Sequence, residues 1–347
     1  MYDTIVIGAG QAGLAAGYYL KQFNQNFLIL DKGREVAESW INRYDSLVLF
    51  TPRMYDALPG LQFEGESHGF PTKNEMVRYL KQYADKFNLP IKFQTEVVNV
   101  QNRKKTFYIE TNQGVFESKN LVIATGAFQT PRVPSFSKKM LKDINQLHSS
   151  EYKNPSQLIE GNVLIVGGGN SGAQIAVELS KEKETYLAIS QKLSYLPLVL
   201  NRKSIFWWFD KLGILKASSN SLIGKAIQKK GDPIFGYELK EAVKRMEVSL
   251  KPKVIDGKQN EITFKDLTTL KVDNIIWATG FHSVYPWLEI KEVFNTEGKL
   301  VHHRGTTSVK GLYFIGLPWQ YRRGSALLQG VGFDARYIVE HLKSLSN

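Results

Sequence analysis

Short apolar runs alternate along this chain with small-residue and polar stretches, and they recur in one order. Residues 4–7 (TIVI) form an apolar run, followed by a glycine-rich turn, a small-residue helix pattern and a second apolar run that ends at Asp31. The same order returns from residues 163–166 (VLIV), and each cycle closes on an apolar run that ends in Ala-Thr-Gly. Continuous apolar runs alternating with helical spacing are typical of parallel strands in an α/β fold.

Each cycle carries a G-x-G-x-x-G turn between its first strand and its helix. In such a turn the first glycine permits a tight bend, the second lets a pyrophosphate approach the backbone, and the third lets helix and strand pack closely. The helix N-terminus adds partial positive charge that faces the anion. The turns consist of Gly8, Gly10, Gln11, Ala12 and Gly13 in the first cycle, and Gly167, Gly169, Asn170, Ser171 and Gly172 in the second. The sequence therefore predicts two dinucleotide sites.

The two cycles differ where the ribose is recognised, at the end of the second strand. Asp31, followed by Lys32, offers a carboxylate that accepts hydrogen bonds from ribose hydroxyls, which suits FAD. Ser190, Gln191 and Lys192 instead offer a hydroxyl, an amide and a positive charge, which favours a 2′-phosphate. We therefore expect FAD in the first unit and NADPH in the second. Gln191 also tolerates NADH, and a solvated surface lysine is the alternative interpretation of Lys192.

The last segment returns to the first unit with an apolar strand and a helix that opens after residues 324–330 and runs to about Leu345. We expect two Rossmann-like domains of the glutathione-reductase type, one of them discontinuous: residues 1–155 and 281–347 for FAD, and 156–280 for NADPH. Further cofactor contacts, with ordinary core or loop structure as the alternative, are predicted for Trp40, Thr51, Val97, Ala124, Thr125, Gly126, Leu328 and Gln329 with FAD, and for Ala278, Thr279 and Gly280 with NADPH.

Composition narrows the chemistry without changing this picture. The 347 residues contain no cysteine, which excludes cysteine nucleophiles, thiolate ligands and redox disulfides. The net charge of +12 comes from scattered basic residues, no nucleic-acid module is present, and we expect no nucleic-acid partner and no metal site. Residues 1–3 lead directly into a strand without a signal-peptide pattern, so the chain is expected to be cytoplasmic. A homodimer is left open.

Residues 204–209 (SIFWWF) form an unusually aromatic segment that is followed by several lysines. Core packing against the second unit is the favoured interpretation. A substrate entry and a peripheral membrane contact are the alternatives, because a helix with an apolar and a basic face also suits a lipid surface.

With both glycine turns in place, the sequence resembles the two-dinucleotide-binding flavoproteins, and within them the bacterial flavin-containing monooxygenase-like group that includes CzcO-type oxidoreductases. The resemblance spans nearly the whole chain. It implies an enzyme that uses NADPH and O₂ to oxygenate a small sulfide, amine or ketone through a C4a-(hydro)peroxyflavin. It rests on GAGQAG from Gly8, SLVLFTP from Ser46, QLHSSEY from Gln146, VGGGNSGAQ from Val166, WATGF from Trp277 and RGSALLQGVG from Arg323.

Two residues are expected to act in the reaction, and both lie where the chain departs from the family pattern. His148 ends the motif F-x-G-x-x-x-H, but Lys142 and Ile144 replace its phenylalanine and glycine. We expect His148 to position the nicotinamide domain; a surface-loop histidine is the alternative. Phe50 stands where many members carry an asparagine near the flavin, so it excludes water but donates no hydrogen bond. This change keeps open a second function, an NADPH-dependent reductase or oxidase. The resemblance to the CzcO group leaves open a third, a flavin-binding accessory protein of a membrane cation transporter, which the positive charge and the aromatic segment would help to dock.

Overall fold

Two large sheets, one mixed and one all-parallel, organise residues 1–344, the part of the chain that this computed structural model describes. The strands are β1 (Tyr2–Ile7), β2 (Phe27–Leu30), β3 (Ile91–Lys92), β4 (Val97–Arg103), β5 (Thr106–Thr111), β6 (Gly114–Ile123), β7 (Thr130–Pro131), β8 (Asn145–His148), β9 (Val163–Val166), β10 (Thr185–Ala188), β11 (Tyr195–Leu196), β12 (Val199–Leu200), β13 (Lys203–Ser204), β14 (Ile234–Phe235), β15 (Val248–Lys251), β16 (Val254–Lys258), β17 (Glu261–Phe264), β18 (Thr269–Lys271), β19 (Asn274–Trp277), β20 (Phe281–His282) and β21 (Leu312–Phe314).

Eight α-helices cover the sheets and connect the strands within the described residues. They are α1 (Gln11–Gln22), α2 (Glu38–Ile41), α3 (Lys73–Lys86), α4 (Asn170–Leu179), α5 (Ile205–Lys211), α6 (Leu222–Lys230), α7 (Glu238–Lys244) and α8 (Leu328–Ser344). Short 3₁₀ turns span Arg53–Tyr55, Ser135–Lys139, Pro155–Gln157, Ile214–Lys216, Lys291–Val293 and Arg323–Ala326. The sequence places the end of the last helix near Leu345, which lies outside the described residues.

The first sheet has the parallel order β3-β2-β1-β6-β21 and continues from β6 into the antiparallel strands β5 and β4. Side chains of β1 alternate between its two faces, as they must in a strand. Val6 joins the core under α1, α3 and α8, whereas Ile5 and Ile7 join the core on the opposite face. This alternation of fully apolar positions explains why the strand reads as one continuous hydrophobic run.

The second sheet has the order β15-β10-β9-β19-β8, and every pair in it is parallel. Helices α4 and α7 contribute the core on one face, around Ile165, Ile175 and Leu239. The antiparallel strands β16, β17 and β18 cover the other face, where Phe264 and Trp277 are buried. The described fold is therefore the expected pair of dinucleotide-binding α/β units.

The boundary between the units differs from the expected one. Strand β8 pairs with β19 and so belongs to the second sheet, although residues 145–148 were expected in the first unit. The chain crosses between the sheets at β7 and returns at β20, and these two strands pair with each other, Pro131 opposite Phe281 and Thr130 opposite His282. The first crossing thus lies near residue 131 and not at residue 155, because the pairing of β8 depends on a partner far away in sequence.

The aromatic segment 204–209 divides between core and surface. It lies on α5, whose Ile205 and Phe206 are buried with Phe235, whereas Trp207, Trp208 and Phe209 remain half-buried. The favoured core-packing interpretation therefore describes only part of the segment.

Candidate cofactor sites and the junction between them

The first glycine turn needs two of its three glycines for its own fold. Gly8 has a φ of +106°, and a Cβ there would lie 2.7 Å from the carbonyl oxygen of Ala124. A Cβ on Gly13 would lie 1.8 Å from the carbonyl oxygen of Gly8, so the helix can pack on the strand only with glycine at this position. Gly10 is different, because a Cβ there would have no protein atom within 4 Å.

The second turn repeats this arrangement position by position. Gly167 has a φ of +123°, and a Cβ there would lie 2.2 Å from the carbonyl oxygen of Ala278. A Cβ on Gly172 would lie 2.0 Å from the carbonyl oxygen of Gly167. Gly169, like Gly10, faces open space. Both open glycines immediately precede a helix, at the positive end of its dipole.

The open space at the middle glycine of each turn fits a dinucleotide. Nothing within the fold prevents a side chain at Gly10 or Gly169, so packing alone does not account for glycine there. A pyrophosphate that contacts the backbone would account for it, since the second glycine of such a turn keeps the approach free. The residues present at both turns therefore fit the cofactors predicted from the sequence.

Asp31 lies at the end of β2, beside the first turn. Its carboxylate accepts hydrogen bonds from the backbone N–H of Ala9 at 2.5 Å and of Gly33 at 2.7 Å, and so it links the turn to the strand end. The backbone N–H of Thr95 donates to the carbonyl oxygen of Asp31, which brings the approach to β4 and Val97 to the same edge of the sheet. Contact of Asp31, Lys32 and Val97 with a nucleotide stays a prediction.

The N-termini of α1 and α8 are brought together, as the predicted flavin contacts require. The Gln11 side-chain amide donates to the carbonyl oxygen of Ala326 at 3.0 Å. Leu328 is buried, and the Oε1 atom of Gln329 is buried without a hydrogen-bond partner. An unpartnered acceptor at this position leaves hydrogen-bonding capacity for a bound group.

Thr51 and Trp40 both contact the body of the first unit, and their contact with FAD stays a prediction. Thr51 is buried and its hydroxyl donates to Asp56 Oδ1 at 2.5 Å, so its side chain serves the fold. Trp40 is half-buried on α2 and packs against the core of the first unit. Ala124 is buried and its N–H donates to the carbonyl oxygen of Ile7. Thr125 and Gly126, which follow it at the same edge of the sheet as the first turn, are half-buried.

At the second turn, the three residues expected to recognise a 2′-phosphate are all exposed. Ser190, Gln191 and Lys192 follow β10, which lies next to β9 in the sheet. The chain here runs beside the glycine turn, because a Cβ on Gly168 would lie 2.8 Å from Leu193. The arrangement leaves a hydroxyl, an amide and an ammonium group facing solvent at the edge of the turn.

Asn170 and Ser171 begin α4, but the Asn170 side chain is used within the chain. Its amide donates to the carbonyl oxygen of Pro233, and its Oδ1 accepts from the N–H of Phe235, each at 3.0 Å. Contact of Ser171 and Asn170 with a pyrophosphate stays a prediction, although both polar atoms of the Asn170 side chain hold β14 in place. Its backbone N–H still belongs to the first turn of the helix.

The Ala-Thr-Gly end of β19 is fixed by His148. Nε2 of His148 lies 3.0 Å from the carbonyl oxygen of Gly280, and Nδ1 accepts from the backbone N–H of Ser150. These contacts require the neutral tautomer with its proton on Nε2. Burial lowers the pKa of His148, in agreement with a neutral ring. His148 is therefore buried and does not lie on a surface loop, and it ties β8 to the crossing at β20. Its part in the reaction stays a prediction.

The other two residues of this turn hydrogen-bond to two different segments. Ala278 donates its N–H to the carbonyl oxygen of Val166, and the Thr279 hydroxyl donates to the carbonyl oxygen of Arg132. The turn after β19 is thereby joined to the end of β9 and to the residue that follows the linker strand β7.

Phe50 stands at the junction of the two units. Its ring stacks on Phe235 with 4.7 Å between centroids and lies 6.1 Å from Phe206. Arg323, which precedes α8, lies over Phe235 and pairs with Asp232 at 2.8 Å. An apolar aromatic cluster thus connects the first unit with the segment inserted after β10. Exclusion of water from a flavin by Phe50 stays a prediction.

Sequence reasoning missed a second junction between the two units, which is polar. The Tyr44 hydroxyl donates to Gln174 on α4 at 2.6 Å, and the Gln174 amide donates to the carbonyl oxygen of Val48 at 3.1 Å. Burial raises the pKa of Tyr44 strongly. It also missed Asp56, which is buried with one unpartnered oxygen. Neither group carries a local pattern that could have revealed it.

In residues 1–344, no group of three or more histidine, aspartate or glutamate side chains is arranged to hold a metal ion. No helix in the same range combines the length and apolar character that crossing a bilayer requires.

The paired turns on the two sheets define a two-dinucleotide-binding α/β flavoprotein. The pyridine nucleotide-disulphide oxidoreductase family matches residues 5–194. The oxidoreductase CzcO of Bacillus subtilis strain 168 is 65% identical over 99% of both chains. The indole-3-pyruvate monooxygenase YUCCA4 of Oryza sativa subsp. japonica is 26% identical over 98% of this chain and 87% of its own length.

Among solved structures, a flavin-containing monooxygenase from Stenotrophomonas maltophilia superposes with a TM-score of 0.84 at 25% identity, covering 100% of this chain and 99% of its own. This chain belongs to the pyridine nucleotide-disulphide oxidoreductase family, as a CzcO-type, flavin-monooxygenase-like oxidoreductase.

Proposed function

We propose that this chain binds FAD at the first glycine turn and NADPH at the second, and that it acts as a flavin monooxygenase on a small sulfide, amine or ketone. The observation that carries the proposal is the pair of open glycines, Gly10 and Gly169, each enclosed between two glycines that the fold itself requires. The likeness to the Stenotrophomonas monooxygenase supports the same reaction class.

Each unit has a defined part in this function. The backbone N–H groups at the starts of α1 and α4 would hold the two pyrophosphates. The buried acceptor of Gln329 lies at the start of α8, which Gln11 joins to the start of α1. When bound, FAD would supply the hydride acceptor and the reaction with O₂. The protein contributes orientation and a water-poor junction built from Phe50, Phe206 and Phe235.

The choice of nicotinamide cofactor would be made by the exposed residues after β10. Lys192 offers a charge and Ser190 a hydroxyl to a 2′-phosphate, and Gln191 is compatible with an unphosphorylated ribose. NADPH is therefore the expected electron donor, with NADH as a poorer one.

Matched substitutions at the two open glycines test the assignment. Gly10→Ala is expected to leave the fold intact and to deprive the purified protein of its yellow flavin absorbance, because a methyl group would occupy the approach to the pyrophosphate. Gly169→Ala should keep the flavin absorbance but require at least tenfold more NADPH for anaerobic flavin reduction. Each variant is the control for the other.

A Gly10→Ala protein that retains full flavin would overturn the assignment of the first turn. A Gly169→Ala protein reduced at the wild-type NADPH concentration would do the same for the second turn. Circular dichroism of both variants separates loss of cofactor from loss of fold.

One observation favours a second candidate, an NADPH-dependent reductase or oxidase. The Phe50 ring stacks on other rings and offers no hydrogen-bond donor, so nothing in this side chain stabilises an oxygenated flavin. Anaerobic reduction with NADPH, followed by mixing with O₂ and a small sulfide, distinguishes the two functions. Sulfoxide formation supports the monooxygenase; peroxide as the only product, with rapid quinone reduction, supports the alternative.

A further inference from the structure

Half of the net charge of the chain is concentrated in one inserted segment. Residues 199–230 have a net charge of +6, whereas the whole chain has +12. The charged residues of this segment are Arg202, Lys203, Lys211, Lys216, Lys225, Lys229 and Lys230, with Asp210 as its single acid. Within residues 1–344, the one ion pair among these side chains joins Lys216 and Asp210 at 3.9 Å. Most of the positive charge is therefore free to attract an external anion.

The same segment exposes large aliphatic side chains to an unusual degree. Leu222 is 88% exposed, Leu212 67%, Ile223 51% and Val199 51%. Leu222 and Ile223 open α6, and three lysines follow them on the same helix. Aliphatic side chains next to lysines are the combination that inserts into the boundary between lipid headgroups and acyl chains.

This surface is held by the body of the protein and is not a loose loop. The Trp208 indole N–H donates to the carbonyl oxygen of Leu200 at 3.0 Å, and the Tyr55 hydroxyl from the first unit contacts Asp210 at 3.3 Å. The backbone N–H of Ser219 donates to the carbonyl oxygen of Tyr321 at 2.6 Å. The exposed aliphatic groups therefore persist on a structured surface.

We propose that residues 199–230 form a basic apolar surface that binds anionic lipid bilayers peripherally. The positive charge favours a lipid bilayer over a second copy of the chain as the binding partner. A second copy of the chain, related by twofold symmetry, would bring the same net charge of +6 against itself, which is unfavourable. An anionic leaflet instead attracts each lysine near its surface and accepts the aliphatic groups. This proposal is independent of the proposed reaction.

Sedimentation with vesicles tests the proposal on the full-length protein. Vesicles of phosphatidylcholine with 30% phosphatidylglycerol are expected to bind the chain at least tenfold more strongly than vesicles of phosphatidylcholine alone, and 0.5 M salt should remove most of this difference, on the order of the screening expected for surface charges. The charge variant K225E/K229E/K230E should bind about a hundredfold more weakly. The apolar variant L222S/I223S should bind about tenfold more weakly.

Two control variants make the same chemical changes elsewhere. K138E/K139E reverses exposed lysines in the turn Ser135–Lys139, and M246S/L267S removes exposed apolar side chains at 86% and 78% exposure. Both are expected to bind anionic vesicles within twofold of the wild type. Circular dichroism confirms that every variant is folded.

Three results would overturn the proposal. The first is equal binding to neutral and anionic vesicles or to neither, and the second is an equal loss of binding in the control variants. The third is a change of molar mass in light scattering for L222S/I223S without any vesicle binding, which would identify a second copy as the occupant.

Discussion

Asp56→Asn is expected to make this protein more stable than the wild type at pH 8, with the difference shrinking as the pH falls towards 4. Asp56 is 1% exposed, accepts the Thr51 hydroxyl at 2.5 Å and leaves its second oxygen without a partner. Burial raises the pKa of Asp56 well above its usual range, against the opposing effects of the Thr51 hydroxyl and of Arg53. Burial therefore favours the neutral form of this carboxyl group in the folded protein.

The direction of this pH dependence follows from proton linkage. Above the pKa of the unfolded chain, the unfolded aspartate releases its proton while the folded one keeps it, so rising pH favours unfolding. The contribution of Asp56 to stability is complete below the unfolded pKa and is lost as the pH rises towards the folded pKa. The loss approaches about 1.4 kcal/mol for each pH unit. Asparagine preserves the acceptor for Thr51 and has no proton to lose.

Urea unfolding followed by tryptophan fluorescence, at pH 5, 6, 7 and 8 and constant ionic strength, measures this difference. Asp3→Asn is the control, because the hydrogen bond from Lys119 lowers the pKa of Asp3 and its contribution is fully present throughout this pH range. That variant should lose at most about 1 kcal/mol, equally at every pH. A pH-independent difference for Asp56→Asn as well would refute the reasoning.

Three further predictions concern the sites. Lys192→Glu should lower kcat/KM for NADPH more than for NADH by about 1–3 kcal/mol, because a charge-assisted contact to the 2′-phosphate is lost; equal losses in steady-state assays would remove Lys192 from the site. Phe50→Asn should reduce the hydrogen peroxide released per NADPH consumed, whereas Phe50→Leu, which adds no amide, should not; similar peroxide yields would contradict a role for the amide. His148→Gln should resist acid better than the wild type between pH 7 and 5, because burial lowers the pKa of His148 and its contribution to stability is lost as the unfolded imidazole takes up a proton; parallel urea midpoints would contradict this.

The strands and glycine turns of both units could be predicted from the sequence because their signals are local. Apolar runs at residues 4–7 and 163–166 lie directly before turns whose geometry restricts two of the three glycines. The membership of β8 in the second sheet could not be predicted in this way. It depends on the pairing of Asn145 with Asn274, a contact between distant parts of the chain.

In the candidate site, too, contacts between distant parts of the chain could not be predicted from the sequence. Residue types indicated where a phosphate or a ribose would be bound, but not which polar atoms the fold itself would use. The Asn170 amide is used to hold β14, and the Thr51 hydroxyl is used by Asp56. Both partners come from segments without a regular pattern. Hydrogen bonds of this kind can therefore be assigned only when the tertiary contacts are known.

The pairing of β7 with β20 makes the second unit a continuous insertion into the first. Its entry and exit lie side by side, with Thr130 opposite His282. All strands of the first sheet lie outside the intervening chain, in residues 2–123 and 312–314. Replacing the second unit between these two strands therefore leaves the sheet of the first unit continuous, as insertions between adjacent chain ends generally do, provided that the new unit also offers partners to Phe50 and Tyr44.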